Sequence, residues 1–299
     1  MTIKNVVLMC AFTLLFAISS NAQINILNAK TPDEIGVKTE EQKVYDNDGP
    51  LPYGYVDDRD VLWSKTTWEK IDLNERMNFP LYYPIDTNNI GRNRRSLYDV
   101  LVKNIKEGNI TEVYADSYFT QKRDLNDIQA SLVYSDTTDM GISQLNAGET
   151  VDPQYIRSFT LDAGDIEEWR IRGYWYVDKR QGELKYRLIG ICPVANEARS
   201  KAFPDDMDNK VELFWIFYPD AREALHKAQA FNNFNSSQPL TFDHLLNSRR
   251  FTAVIYKEDN EYGDREINHY IQDNALMQLL ESERIKEKIR NIEMDLWAN

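Results

Sequence analysis

The sequence has few of the residues that catalytic and metal sites require. It contains two cysteines, Cys10 and Cys192, and three histidines, His226, His244 and His269. The histidines fall on three separate predicted helices, with no HxxxH or CxxC pairing, which argues against a metal site. The sequence also lacks a G-x-S-x-G turn, a glycine-rich phosphate loop and a Walker sequence. Residue chemistry therefore predicts no catalytic residue, no metal ligand and no cofactor.

Long apolar runs are equally scarce, and the most apolar one lies near the N-terminus. Residues 6–18 follow Lys4 and precede the small-x-small triplet Ser20-Asn21-Ala22, a pattern typical of a secretory signal peptide. Cys10 lies inside this run, so it does not resemble the lipidated cysteine that closes a lipoprotein signal. We therefore interpret residues 1–22 as a cleaved signal peptide and expect an exported mature chain with no membrane anchor of its own.

Positive charge is in deficit, because 35 Lys and Arg face 48 Asp and Glu and the formal net charge is -13. This acidity disfavours nucleic acid and anionic membranes as general partners. After cleavage of the signal only Cys192 would remain, which excludes an intramolecular disulfide. Its position beside Pro193 in a predicted strand favours a small buried apolar residue over a reactive thiol.

The segment that follows the signal is poor in aromatic residues. Residues 23–54 are rich in Asp, Glu, Lys, Asn and Pro and contain the turn cluster at residues 46–50. We predict an extended or disordered N-terminal arm. Two interpretations stay open: a flexible N-terminus, or an arm that becomes ordered on a neighbouring subunit. The globular region is expected over residues 55–299.

Three consecutive strands are predicted over residues 168–177, 184–194 and 211–218. Apolar and polar residues alternate in the first two, as in strands with two different faces, and the third is apolar at nearly every position. With a turn at residues 179–182, the first two strands would form a hairpin. Its predicted core-side pairs are Val177 with Leu184, Trp175 with Tyr186, Gly173 with Leu188, and Ile171 with Gly190.

The other face of this hairpin is basic and aromatic. It would carry Arg170, Arg172, Tyr174 and Tyr176, opposite Ile191, Ile189, Arg187 and Lys185. Such a face can stack bases or sugars, or it can be a solvent-facing ladder of cation–π and Tyr–Arg contacts. We prefer a packed or partner-facing surface, one that receives the acidic side of a neighbour. The predicted partner-binding residues are Arg170, Arg172, Tyr174, Tyr176, Lys185 and Arg187.

Capping and periodicity predict the remaining elements. Six helices are predicted. They are one from residue 60 to before residue 78, one from Ser96 to Gly108, one over residues 124–133, one that begins at Asp220, one over residues 241–246, and a last one from Asp264 to near the C-terminus with a break at Asp273-Asn274. Further strands are predicted at residues 81–83, 111–115 and 251–256, and a loop over residues 135–151. The predicted class is α+β, an antiparallel sheet meander with flanking helices and a long C-terminal helix.

Two parts of the chain share one order of predicted elements. Tyr83-Pro84 and Tyr218-Pro219 each follow a predicted strand and precede a loop, a capped helix and another strand. This similarity suggests an internal duplication with halves at residues 55–134 and 165–299. The alternative is that short α and β units use the same capping residues repeatedly.

A cluster of carboxylates lies at the start of the globular region. Asp57, Asp58 and Asp60 stand beside Tyr53 and Tyr55, which allows a carboxylate pair in an aromatic sugar cleft. The more economical interpretation is that these aspartates cap the first helix. The first alternative would make the protein a periplasmic glycan-binding or glycan-cleaving protein.

Several runs of the sequence carry a family resemblance. They are residues 51–61 (LPYGYVDDRDV), 79–86 (FPLYYPID), 95–101 (RSLYDVL), 171–176 (IRGYWY), 186–193 (YRLIGICP) and 261–267 (EYGDREI). With these runs the sequence resembles the GldN (PorN) family of the gliding-motility and type IX secretion machinery of Bacteroidota. The runs extend over almost the whole predicted mature chain and contain no catalytic motif.

The resemblance implies a non-enzymatic subunit in the periplasm, at the inner face of the outer membrane. Its implied partners are an outer-membrane lipoprotein of the GldK (PorK) type, further copies of itself in a ring, and GldL-like and GldM-like motor components. The resemblance supplies no active-site residue. Neither nucleic acid nor a membrane anchor is expected.

Overall fold

The computed structural model describes residues 49–86, 95–203, 209–232 and 240–298, together with Thr31, Glu40 and Val44. The predicted signal peptide at residues 1–22 lies outside the described residues. The predicted arm at residues 23–54 also lies mostly outside them, and its last residues, 49–54, are described. Gly49–Asn299 forms a compact unit.

One large antiparallel sheet organises the fold. The strands, with the two small sheets included, are β1 Val61–Asp72, β2 Val113–Tyr114, β3 Lys122–Arg123, β4 Val133–Thr137, β5 Ile156–Thr160, β6 Ile166–Asp178, β7 Glu183–Asn196, β8 Lys210–Glu212, β9 Trp215–Phe217, β10 Gln229–Ala230, β11 Leu240–Thr241 and β12 Val254–Glu258. The large sheet has the order β12-β1-β6-β7-β9-β2-β3, with β8 also paired to β7. Strands β4 and β5 form one two-stranded sheet, and β10 and β11 form another.

Helices flank the sheet, as the α+β prediction requires. They are α1 Phe79–Tyr82, α2 Leu97–Lys106, α3 Leu125–Leu132, α4 Asp139–Asn146, α5 Tyr218–Lys227, α6 Phe242–Asn247, α7 Ile267–Tyr270 and α8 Ala275–Ala298. Two predicted caps are confirmed, because Ser96 Oγ accepts from Asp99 N and Thr241 Oγ1 accepts from His244 N. The predicted break before the last helix is also confirmed, since Asp273 has φ of 54° between α7 and α8.

The predicted hairpin is the pair β6 and β7. Its first pairs are confirmed, with Val177 opposite Leu184 and Gly173 opposite Leu188. A β-bulge between Arg172 and Gly173 then shifts the register, so Ile171 lies opposite Ile191 and the predicted pair Ile171 with Gly190 is wrong. The extra residue lets two apolar side chains face each other in the core.

The core lies on one face of the hairpin. Trp169, Ile171, Leu188 and Ile191 are buried there in one cluster with residues of α2, α5 and α6. Helix α8 extends this layer, because Ile285 packs in a cluster with β12 and α7. The predicted packing of the C-terminal helix along the domain is therefore confirmed for its buried stripe.

The first predicted helix is wrong, because residues 61–72 form strand β1. Val61, Trp68 and Ile71 have helical spacing, but β1 pairs with β6 on one side and with β12 on the other. Trp68 and Ile71 are both buried and belong to different clusters. A strand covered on both faces has no simple alternation, so its pattern resembled that of a helix.

Four further local predictions are corrected. Residues 81–83, predicted as a strand, lie at and just after the helical turn α1, and the predicted loop at residues 135–151 contains part of β4 and all of α4. The third predicted strand is divided into β8 and β9 by buried residues Leu213 and Phe214. Helix α5 begins at Tyr218 with Pro219 in its first turn and has no side-chain cap, so the predicted start at Asp220 is late.

The suggested duplication stays a hypothesis. Tyr83-Pro84 follows the helical turn α1, whereas Tyr218-Pro219 begins helix α5. Strands from both suggested halves also lie in the same sheet, since β1 pairs with β6 and β12 and β2 pairs with β9.

Gly173 offers a test of the hairpin packing. A Cβ atom at this position would lie 2.2 Å from the Tyr186 ring. We therefore expect Gly173→Ala to lower the free energy of unfolding by about 1–3 kcal/mol, as overpacked sites do. Urea denaturation at 25 °C measures this loss.

The matched control is Gly49→Ala, where the added Cβ meets nothing within 4 Å. It should change the free energy of unfolding by about 0.5 kcal/mol or less. In a Tyr186→Ala background the cost of Gly173→Ala should shrink. Equal costs in both backgrounds would contradict the proposed clash.

Candidate functional site

The predicted partner-binding residues share one face of the hairpin, which we call the basic face: Arg170, Arg172, Tyr174, Tyr176, Lys185 and Arg187. Tyr174 lies opposite Arg187 and Tyr176 opposite Lys185, as predicted. Beyond the bulge, Arg172 lies opposite Gly190 and Arg170 opposite Cys192, so the predicted neighbours Ile189 and Ile191 are wrong.

Arg170 is engaged with its own chain. Its guanidinium lies 2.7 Å from a Glu212 carboxylate oxygen and 3.3 Å from one of Glu168. The same group lies 5.2 Å from the centre of the Tyr256 ring. Cys192, on the neighbouring strand, is buried as predicted, and burial raises the pKa of its thiol.

Arg172 belongs to a row of side chains that crosses the sheet. Trp68 on β1 pairs with Lys257 on β12 and with Arg172 on β6. Lys257 Nζ lies 4.4 Å and the Arg172 guanidinium 5.2 Å from the indole centre. Both cations also lie over the Tyr118 ring, at 4.8 Å and 5.2 Å. We call these four residues the Trp68 cluster.

Hydrogen bonds complete the Trp68 cluster. Arg172 Nη1 donates to Ser117 O at 2.8 Å, and Lys257 Nζ donates to Tyr118 Oη at 2.9 Å. Tyr118 Oη in turn donates to Asp264 Oδ2 at 2.7 Å. Burial lowers the pKa of both Arg172 and Lys257. The cluster therefore connects the loop at residues 117–119 and Asp264 to the sheet.

The other end of the basic face receives the segment that precedes β1. Tyr174 and Tyr176 stack with ring centres 6.0 Å apart, and Lys185 Nζ lies 3.9 Å from Asp178 Oδ2. The Arg187 guanidinium lies 4.6 Å from the Tyr53 ring and 5.7 Å from the Tyr176 ring.

Tyr53 is held between two arginines. The Arg222 guanidinium lies 4.1 Å from the ring centre, and Arg187 contacts the ring as well. Tyr53 Oη donates to Asn247 Oδ1 at 2.9 Å, and burial raises the pKa of the phenol. We call Arg187, Arg222 and Asn247 the Tyr53 cradle. A cation–π contact of this kind contributes about 0.5–2 kcal/mol.

Asp243 binds two residues of the cradle. It accepts from Arg222 Nε at 2.9 Å and Nη2 at 3.1 Å, and from Tyr218 Oη at 2.9 Å. The side chains of Arg222 and Asp243 are only 10% and 7% exposed. Asn247 Nδ2 also donates to Asp243 Oδ1, at 2.8 Å. This bidentate, nearly buried pair keeps the guanidinium in one orientation.

Three arginines bind the main chain around Tyr53. Arg222 Nη2 donates to Leu51 O at 2.7 Å, Arg187 Nη2 to Gly54 O at 3.0 Å and Arg180 Nη2 to Tyr55 O at 2.8 Å. We call residues 51–55 the anchored segment. Its first four residues were assigned to the predicted arm, and the structure shows that they are bound to the domain.

Asp57 and Asp60, beside this segment, have local partners. Asp57 caps the short 3-10 helix Asp58–Asp60, and its Oδ1 accepts from Arg59 N at 3.1 Å. Asp60 forms an ion pair with Arg180 at 3.0 Å. Capping is therefore confirmed for Asp57, although the capped element is a 3-10 turn before a strand instead of the predicted helix. The structure gives no support to the sugar-cleft alternative.

Sequence reasoning missed the centre of this site. Arg222, Asp243 and Asn247 lie on helices α5 and α6, and nothing in their spacing connects them to Tyr53. The available signal was the aromatic anchor itself, a Tyr between Pro52 and Gly54 at the end of an arm that is poor in aromatic residues. A second buried ion pair, Glu69 with Arg249 at 2.7 Å, was missed for the same reason.

Within the described part of the chain, no three His, Cys, Asp or Glu side chains are grouped so that they could hold a metal ion. Among the same residues, no helix has the length and apolar character needed to cross a membrane.

Comparison with models of known protein families gives a match. The family model described as "Gliding motility associated protein GldN" matches residues 56–298. No curated protein matches the chain.

The buried ion pair under the cradle generates a stability prediction. Asp243→Ala leaves the guanidinium of Arg222 buried without its carboxylate and removes an acceptor from Tyr218. We expect a loss of about 3–5 kcal/mol in the free energy of unfolding, measured by urea denaturation.

The control is Glu223→Ala, because the Glu223 side chain is 74% exposed and pairs with Lys227 on the surface. This control should cost about 0.5 kcal/mol or less. A loss below 1 kcal/mol, roughly the value of an exposed pair, would show that the Arg222 pair is not buried as described.

Tyr118 generates a prediction on pH. Burial, followed by the hydrogen bond to Asp264, raises the pKa of Tyr118 to about 12. An unfolded tyrosine has a pKa of about 10. Between these values the unfolded state releases a proton that the folded state keeps, so stability falls as pH rises. The contribution of Tyr118 is fully present below about pH 10.

We therefore expect Tyr118→Phe to flatten the loss of stability between about pH 10 and 12, measured by urea denaturation at each pH. Tyr83→Phe, at a similarly exposed position outside the Trp68 cluster, is the control and should follow the unmodified chain. A Tyr118→Phe curve that coincides with that of the unmodified chain would contradict the interpretation.

Proposed function

The chain belongs to the GldN family of gliding-motility-associated proteins, and from this membership we propose that it is a non-enzymatic structural subunit of the type IX secretion and gliding machinery. The observation that carries the proposal is the extent of the family match, which reaches from residue 56 to residue 298. A match of this extent includes every strand of the large sheet and the C-terminal helix.

We propose the periplasm as its location and an outer-membrane lipoprotein of the GldK (PorK) type as its direct partner. Further copies of the chain would complete a ring beneath the outer membrane, coupled to GldL-like and GldM-like motor components. The predicted signal peptide at residues 1–22 supports export. The family resemblance supports the partners.

The described surface has features of a protein that binds other proteins. Two regions expose several large apolar side chains, as contact surfaces commonly do. The first region is the β4, α4 and β5 unit, with Val133, Met140, Ile142, Leu145 and Ile156. The second is the start of α8, with Leu276, Met277, Leu279 and Leu280. Structural subunits need such surfaces, and they support the proposal.

The basic face remains the predicted contact for a partner. Arg170 and Arg172 already bind acceptors of their own chain, and Tyr176 is buried. Tyr174 and Lys185 are partly exposed, and their only polar contact given by the structure is the distant approach of Lys185 to Asp178. We therefore place the proposed contact on Tyr174 and Lys185.

Copurification tests this function. The full-length chain, coexpressed with the GldK-like lipoprotein of the same genome, should copurify with it as a high-mass complex by native mass spectrometry. The double variant Tyr174→Ala with Lys185→Glu should weaken the complex by about tenfold or more, because an attractive contact becomes repulsive. Glu223→Lys, on helix α5, is the control and should retain the complex.

Two outcomes would count against the proposal. A chain that stays a monomer in the presence of the lipoprotein would remove the assembly function, and binding of a glycan by that monomer would favour the alternative. A double variant that assembles like the unmodified chain would remove Tyr174 and Lys185 from the contact.

A further inference from the structure

We propose that the Tyr53 cradle is an exchangeable peptide-binding site. In this structure it is filled by residues 51–55 of the same chain, and in an assembly it is filled by the same residues of a second copy. The inference rests on the proposed function in one respect, because that function supplies neighbouring copies.

The cradle recognises a defined chemistry. One aromatic ring lies between the guanidinium groups of Arg187 and Arg222, at 4.6 Å and 4.1 Å, and its hydroxyl donates to Asn247. Two further interactions go to main-chain carbonyl oxygens, those of Leu51 and Gly54. The ligand class is therefore an extended peptide with a tyrosine whose neighbouring carbonyls point toward arginines.

The anchored segment buries little of its own surface on the domain. Tyr53 is its only partly buried residue, since Leu51 and Tyr55 are 82% and 80% exposed and Pro52 and Gly54 are exposed as well. Its departure would uncover one partly buried aromatic ring. The exposed Leu51 and Tyr55 also offer apolar surface to a neighbouring molecule.

The receptor keeps its shape without the segment. Arg222 is oriented by Asp243, which also binds Tyr218 and Asn247, and none of these contacts involves residues 51–55. Tyr218 is fully buried and Asp243 nearly so. A preorganised site loses little entropy on binding, so an empty cradle remains competent to bind a peptide.

The charge of the segment permits a second copy as the occupant. The chain carries a formal net charge of -13, yet residues 49–55 contain no charged side chain, and the site that receives them presents Arg187 together with the ion-paired Arg180 and Arg222. The segment of a second copy can therefore approach this site without bringing a carboxylate of its own. Every group that the cradle contacts is present in that second copy by identity.

The link between the segment and its own domain determines whether the cradle is filled by the same chain or by a second copy. Only residues 56–60 separate the segment from β1, and so short a link gives the chain's own segment an effective concentration on the order of millimolar, so intramolecular filling dominates in dilute solution. Exchange becomes favourable where copies are held side by side, as in a ring. The cradle would then connect neighbouring subunits through residues 51–55.

A peptide-binding measurement tests the site. The full-length Tyr53→Ala chain vacates the place of the aromatic ring beside Arg187 and Arg222, and the probe is a fluorescein-labelled peptide of residues 49–57. The matched control peptide has alanine at position 53. We expect the tyrosine peptide to bind the Tyr53→Ala chain about tenfold or more tightly than the alanine peptide does, and more tightly than it binds the unmodified chain. Equal affinity of the two peptides, or no binding of the tyrosine peptide to a folded Tyr53→Ala chain, would overturn the proposal.

A mixing experiment tests the second copy. The Tyr53→Ala chain has an open cradle, and a chain with Arg187→Ala and Asn247→Ala has an intact segment and a weakened cradle. Native mass spectrometry of the mixture should show a mixed dimer that is absent from either variant alone. Far-UV circular dichroism checks that both variants are folded.

The outcome separates this inference from the proposed function. If no mixed dimer forms while the unmodified chain still copurifies with the lipoprotein, exchange is wrong and the assembly function stands. If the mixed dimer forms and copurification fails, the cradle is a self-association site and the proposed partner is wrong.

Discussion

The β6 and β7 hairpin is covered on both faces, and this constraint governs the rest of the structure. One face buries Trp169, Ile171, Leu188 and Ile191 in the main core. The opposite face also lies beneath other parts of the chain, although it carries Arg170, Arg172 and Arg187. Charged groups that lose water must gain partners, because unpaired burial of a charge costs several kcal/mol. The surrounding loops and segments supply those partners.

Aromatic rings and carboxylates are the partners that the chain uses. The Trp68 indole lies between the cations of Arg172 and Lys257 on the two neighbouring strands, and Tyr118 covers both. Arg222 and Arg249 each combine an aromatic contact with a nearly buried carboxylate, Asp243 and Glu69. Arginine suits this arrangement because its planar group can stack on a ring and bind an oxygen at the same time. The basic face is therefore mainly part of the structure of the domain itself. The side chains that remain for a partner are those that do not bind groups of the same chain.

The same physics connects the fold to the proposed assembly. Residues 51–55 are bound to the domain by arginines and one tyrosine, while their own apolar side chains stay exposed. Contacts of this kind are specific in geometry and small in buried area. They suit a segment whose binding can be transferred between neighbouring subunits, whereas the main core keeps each subunit intact.

Local patterns determined much of this protein. Alternation over residues 168–177 and 184–194 identified the hairpin and its two faces, and Ser96 and Thr241 located two helix starts, because each signal depends on residues close together in the chain. The sequence also carried the family resemblance that the match over residues 56–298 confirms. Apolar periodicity and helix-capping residues predicted the α+β class and the packing of the last helix along the domain.

Only the tertiary structure decided how these elements are joined. Strand β1 reads as a helix in isolation and becomes a strand because β6 and β12 pair with it from both sides. The bulge at Arg172 reflects the fit of Ile171 against Ile191 across two strands. The cradle joins Tyr53 to Asn247, 194 residues away, and Leu51 to Arg222, 171 residues away. Contacts over such separations depend on the packed positions of whole helices and strands, and no spacing within the sequence encodes them.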